Sequence, residues 1–150
     1  MQFDSYNTDL NDALVQNSAN DMVNLKFYKG KIVIVEFWST WISSSELIIT
    51  SVDSLLNAMN LNDDVVFIPL SVWEKDKDSK SILSKFMTDN NLQRNLYYDS
   101  DNSVPYNAGI TGIPARIIID KSGKIRFLEN GFTDIESYTE NLKLKLEFLK

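Results

Sequence analysis

The chain has 150 residues and a formal net charge of −6, with 43% hydrophobic and 24% charged residues. These values suit a folded chain with a full core, and the negative balance argues against nonspecific nucleic-acid binding, which rests on a positive field over phosphates. There is no Cys and no His, which excludes a disulfide, a thiolate nucleophile, a Cys/His zinc site and a Ser-His-Asp triad.

No apolar run approaches the ~20 residues that span a bilayer, so no membrane span is expected in this chain. The first residues, MQFDSYNTDLNDALVQ, are polar and acidic, with no basic region leading into an apolar one, so they do not read as a signal peptide. The expected organisation is one domain over residues 1–150. Residues 1–21 form an N-terminal extension or hairpin, built from ALVQ and DMVNL, and residues 22–150 form the core.

KIVIVEFW, residues 31–38, is a β-branched and aromatic run whose near-continuous apolar character predicts a central strand buried on both faces. A helix from Ser44 to Met59 follows, with Leu47, Ile48, Val52, Leu55, Leu56 and Met59 at helical spacing. VVFIPLSVW, residues 65–73, predicts a second buried strand and completes a right-handed βαβ unit. Pro69 has no N–H for a ladder, so it is expected at an edge or a bulge.

A second helix is predicted from Ser79 to Asn90, a short strand in NLYYD, and a short helix in SVPYNAGI with Pro105 in its first turn. ARIIIDKSGKIRFLENG predicts a hairpin around Asp120-Lys121-Ser122-Gly123. The last helix is expected from Thr133 to Phe148. The order predicts an α/β sandwich with a central mixed β-sheet flanked by helices.

Two stretches carry a resemblance. NLKFYKGKIVIVEFWSTW is similar to the segment of TlpA/ResA-type thiol-disulfide oxidoreductases in which a Gly-Lys pair precedes the first core strand and an F-W-x-x-W motif. TGIPARIIIDKSGKI resembles their Gly-x-Pro loop, strand, Asp-x-x-Gly turn and next strand. At this separation, covering residues 22–148, the two imply a thioredoxin-like fold with an N-terminal hairpin extension. The family's W-C-x-x-C motif falls on Trp41-Ile42-Ser43-Ser44-Ser45. Ile42 therefore stands where the resemblance puts the nucleophilic cysteine, and Ser45 where it puts the resolving one. Disulfide exchange needs a thiolate and a second thiol, and neither side chain supplies one. The fold is implied by the resemblance and the reaction is not.

Ser43 with Glu46 three residues on matches a capping box, the expected role of this serine run. A nucleophilic Ser45 would need an adjacent base, and only a carboxylate such as Glu36 is a candidate. Ile42 is expected to fill an apolar gap in the core, the alternative being a hydrophobic contact for a partner. Glu36 lies where the family carries a buried acid beneath its redox pair. VVFIPLSVW supplies no lysine beside it, so the expectation is a carboxyl without a cationic partner, a raised pKa, and a Glu36→Gln variant no less stable above neutral pH. Its expected role is a hydrogen-bonded remnant; the alternative is a proton acceptor.

By resemblance, Ile113-Pro114 is cis and faces Ile42, and the residue before the proline offers backbone hydrogen bonds to an extended substrate. Trp41, Ile42, Trp73, Ile113 and Pro114 are then the candidate groove, suited to β-augmentation by a peptide or another protein. EKDKDSK reads as a solvated loop. Its alternating acids and lysines lack the glycine and distal glutamate of a calcium loop, so no metal is expected, and no cofactor.

Two functions follow as expectations. The first is a redox-inactive interaction domain that keeps the groove. The second is a thiol-disulfide oxidoreductase whose cysteines have been replaced in this chain, which cysteine codons at positions 42 and 45 of the natural gene would reveal. A peroxiredoxin-like peroxidase fits less well, because no cysteine stands near Ser43. The resemblance implies an exported or periplasmic protein whose leader has been removed.

Overall fold

The computed structural model describes Leu10, residues 13–75 and residues 78–150. The expectations for the acidic first residues, and for Asp76 and Lys77, lie outside the described residues. The strands are β1 (Leu14–Asn17), β2 (Met22–Asn24), β3 (Ile32–Trp38), β4 (Val65–Ser71), β5 (Tyr97–Tyr98), β6 (Ala115–Ile119) and β7 (Ile125–Asn130). The helices are α1 (Ser45–Ala58), α2 (Ser79–Asp89), α3 (Ser103–Ala108) and α4 (Ile135–Leu149). The strands form one mixed sheet in the order β2-β1-β5-β4-β3-β6-β7, with β3–β4 parallel and β3–β6 antiparallel.

All of β3 is buried because the sheet is covered on both faces. Ile32, Ile34 and Trp38 point into a core with Ile48, Val52 and Leu56 of α1, Leu83 of α2 and Tyr138, Leu142 and Leu146 of α4. Val33, Val35 and Phe37 point the other way, into a core with Leu25 and with Val104 and Ala108 of α3. The period-two alternation of the strand thus feeds two layers, which is why its sequence shows no polar face.

β4 is an interior strand, not an edge. The bonds Val72 N–H to Trp38 O and Ile32 N–H to Asp64 O show that its even-numbered residues turn their backbone groups toward β3. Pro69 therefore turns the other way, where β5 reaches only Leu70 and Ser71. The proline costs no ladder bond there. The same uncovered stretch leaves the Phe67 carbonyl to accept from Arg94 Nη2 at 2.8 Å.

Candidate functional site

The ladder registers bring several loops to one end of the sheet. Trp38, the last residue of β3, pairs with Ser71, the last of β4, and Phe37 pairs with Ala115, the first of β6. The 39–44, 72–75 and 111–114 loops therefore all leave the sheet at that end, beside the start of α1. This is where the candidate groove residues lie.

Trp41 is 47% exposed, and its Nε1 donates to the Trp73 carbonyl at 3.0 Å. Trp73 is half-buried, packs on the α3-side core, and has φ +52°, a left-handed conformation that is rare for a bulky residue. Its N–H donates to Asn102 Oδ1 at 2.8 Å. The Lys75 ammonium lies 5.1 Å from the Trp41 ring centre. The Ile113-Pro114 peptide is cis, and both residues are half-buried. The Pro114 carbonyl accepts from the Gly131 N–H at 3.0 Å. Among the described residues, nothing bonds the backbone N–H or carbonyl of Ile113.

The loop before α1 departs from expectation in three ways. The helix is capped by Ser44 rather than Ser43, and Ser44 makes no side-chain capping bond. Two successive turns, Ile42 N–H to Ser39 O at 3.0 Å and Ser45 N–H to Ile42 O at 3.2 Å, delay the helix by a residue. Ile42 is half-buried and belongs to neither core, so it is a rim residue, not a core filler. Ser45 is sealed, and its Oγ donates to the Ser39 carbonyl at 2.8 Å. That bond makes Ser45 a structural tie within the turn, and among the described residues no hydrogen bond joins it to Glu36.

Glu36 does have a cationic partner. Arg116 stands opposite it across the β3–β6 ladder, with Nε 2.8 Å from Glu36 Oε1. Tyr138 of α4 donates its hydroxyl to Oε2 at 2.5 Å. Arg116 Nη1 donates to the Tyr138 carbonyl at 3.0 Å, and the guanidinium sits 3.8 Å over the Tyr138 ring. Burial still holds the Glu36 carboxyl above its ordinary pKa, while Arg116 and the Tyr138 hydroxyl oppose the rise. Both carboxylate oxygens are engaged, so the group is a closed ion-pair network, not an open proton acceptor. Arg116 Nη2 is buried without a partner.

Glu74, expected in a solvated loop, is half-buried and accepts three hydrogen bonds. They come from Thr40 N–H at 2.9 Å, Thr40 Oγ1 at 2.6 Å and Ser71 Oγ at 2.7 Å. A cavity of about 430 Å³ beside it is lined by Ser71, Trp73, Glu74, Ser79, Asp99 and Asn102. Burial raises the Asp99 carboxyl to about 6, helped by Asp101 and opposed by the Val104 N–H, which donates to it at 2.7 Å. No group of three or more potential metal ligands occurs among the described residues. Nor is any of their helices long and apolar enough to cross a membrane.

A family model described as thioredoxin-like matches residues 30–125. No curated protein matches the chain in a sequence comparison. Among solved structures, a Chlorobium tepidum protein assigned as the thiol:disulfide interchange protein DsbE aligns over 99% of each chain, with a TM-score of 0.81 and 17% identity. The exposed lipoprotein thioredoxin Etrx1 of Streptococcus pneumoniae aligns over 88% of this chain and 98% of its own, at 0.67 and 23%. StoA of Bacillus subtilis aligns over 85% and 92%, at 0.67 and 19%. At these identities the likeness speaks for the fold.

Proposed function

This chain belongs to the thioredoxin-like family, and we propose that it is a redox-inactive interaction domain that captures an extended peptide segment of a partner protein at the rim formed by Trp41, Ile42, Trp73, Ile113 and Pro114. Thiol-disulfide exchange proceeds through a mixed disulfide, and a chain without cysteine cannot form one. Capture of a peptide needs no sulfur. It needs a backbone edge for main-chain hydrogen bonds and pockets or faces for alternate side chains.

The observation that carries this proposal is the backbone of Ile113, whose N–H and carbonyl have no partner among the described residues, in a loop at the same end of the sheet as the half-exposed Trp41. Strand addition supplies main-chain hydrogen bonds, so an extended strand laid against Ile113 would complete two bonds. The test is panning of a random twelve-residue phage-displayed peptide library on the protein and on Trp41→Ala. Peptides enriched on the parent and lost on the variant support the proposal. Enrichment of nothing, or of the same peptides on both, overturns it.

A further inference from the structure

We infer that Glu74 is a positioning residue that sets the Trp41 platform for peptide capture and thereby selects for an apolar anchor side chain; this rests on the peptide-binding function proposed above. The Glu74 carboxylate bonds both the backbone N–H and the hydroxyl of Thr40, and also Ser71 Oγ at the end of β4, at 2.6–2.9 Å. Bonds to an ionised acceptor are short and stronger than neutral ones. The next residue on each side repeats the link, since Trp41 Nε1 donates to the carbonyl of Trp73. Residues 40–41 and 73–74 are thus joined at three points, two through Glu74 and one through the indole.

The turn has no covalent bond between positions 42 and 45 to hold it. The Ile42 N–H and Ser45 Oγ both bond Ser39 O, and among the described residues no side chain other than Glu74 bonds Thr40. Trp73 keeps its left-handed backbone because the Asn102 bond to its N–H and the Trp41 bond to its carbonyl fix both sides of the residue. A bulky residue holds such a conformation only where its surroundings determine it.

The bracket also defines what the platform can recognise. The Trp41 N–H is already used, and the Lys75 ammonium lies over the ring. What the half-exposed indole still offers is apolar ring surface, so the complementary ligand group is an aliphatic or aromatic side chain flanked by extended backbone. The indole itself has no donor left for a polar acceptor.

The experiment compares the parent with Glu74→Ala and Glu74→Gln. Hydrogen exchange is read by NMR at the Thr40 amide and the Trp41 indole, and the dissociation constant is measured for the peptide enriched from the twelve-residue library. Glu74→Ala is expected to speed exchange at both sites about tenfold with β3 amides unchanged, and to weaken the peptide about tenfold, because the loop must be ordered on binding. Glu74→Gln, whose amide carbonyl still accepts, is expected to recover part of both effects. Thr40→Val and Ser71→Ala each remove one donor, and they give smaller changes in the same direction if Glu74→Ala does not fold. Unchanged exchange overturns the inference, and so does unchanged peptide affinity. The exchange readout uses no peptide, so a parent that binds none defeats the proposed function separately.

Discussion

Glu36 and Arg116 face each other directly across the β3–β6 ladder, Nε to Oε1 at 2.8 Å, with neither side chain more than 1% exposed. Tyr138 closes the group from α4, so one ion pair ties together two strands and the last helix. Such a pair stabilises little relative to apolar packing, yet breaking it strands a charge in a low-dielectric interior.

Arg116→Met is therefore expected to cost about 3–5 kcal/mol in urea unfolding. Replacing both Glu36 and Arg116 by Met should cost far less than the two single losses combined. The loss in Arg116→Met should grow with pH. Without the guanidinium, nothing but Tyr138 opposes the rise of the folded-state carboxyl pKa. The folded state then holds a proton that the unfolded state has released, and stability falls as pH climbs above the ordinary glutamate value toward the raised one. The pairing adds a pH-independent cost to Glu36→Gln, which leaves Arg116 buried beside a neutral amide, but the deficit should shrink as pH rises, because the raised carboxyl pKa lowers the parent's own stability there. Additive single-mutant effects in the double variant would contradict the ion-pair account.

Asp99 provides a second pH signature. Its folded-state pKa of about 6 lies above the ordinary aspartate value of 3.8, so this group lowers stability as pH rises through that window. Asp99→Asn keeps an acceptor for the Val104 N–H and removes the titration. The difference between variant and parent in a plot of unfolding free energy against pH should change slope between pH 4 and 6 by no more than about 1.4 kcal/mol per pH unit, the limit for one proton. Parallel curves across that range would count against the shift.

Disulfide exchange provides a third test. The unmodified protein should show no activity in insulin reduction. Ile42→Cys with Ser45→Cys places a pair spaced by three residues at a helix start, where free N–H groups and the positive helix end favour a thiolate. A reversible disulfide and measurable dithiol-dependent reduction are expected from the double variant, and at most a mixed disulfide with added thiol from either single variant. A double variant that cannot close its disulfide, followed by redox titration, would show that the turn has drifted from a redox geometry.

The strand and helix pattern was legible because burial left a direct mark on it. β3 and β6 are buried along their whole length and read as near-continuous apolar runs, and the helices show their buried stripes. The Glu36–Arg116 pair is not legible from β4, where the resemblance points for a cation, because Arg116 lies on β6, the neighbour on the other side of β3. A signal was present nonetheless. IVIVEFW and ARIII each hold a single charged residue of opposite sign within a buried strand, and two such charges have one economical solution. The helix start was misplaced because three consecutive serines are equivalent as caps until the turns before them are known. The roles of Glu74 and Trp73 depend on the approach of loops 34 residues apart in sequence, and nothing in EKDKDSK marks that approach.

The most direct test of peptide capture is the Ile113 amide in an NMR titration with the peptide enriched from the library. The account predicts a saturable downfield shift of that amide, accompanied by shifts at Trp41 and Ile42, as its unpaired N–H takes up a hydrogen bond to peptide backbone. A peptide that binds with saturation while the Ile113 amide stays fixed would contradict it.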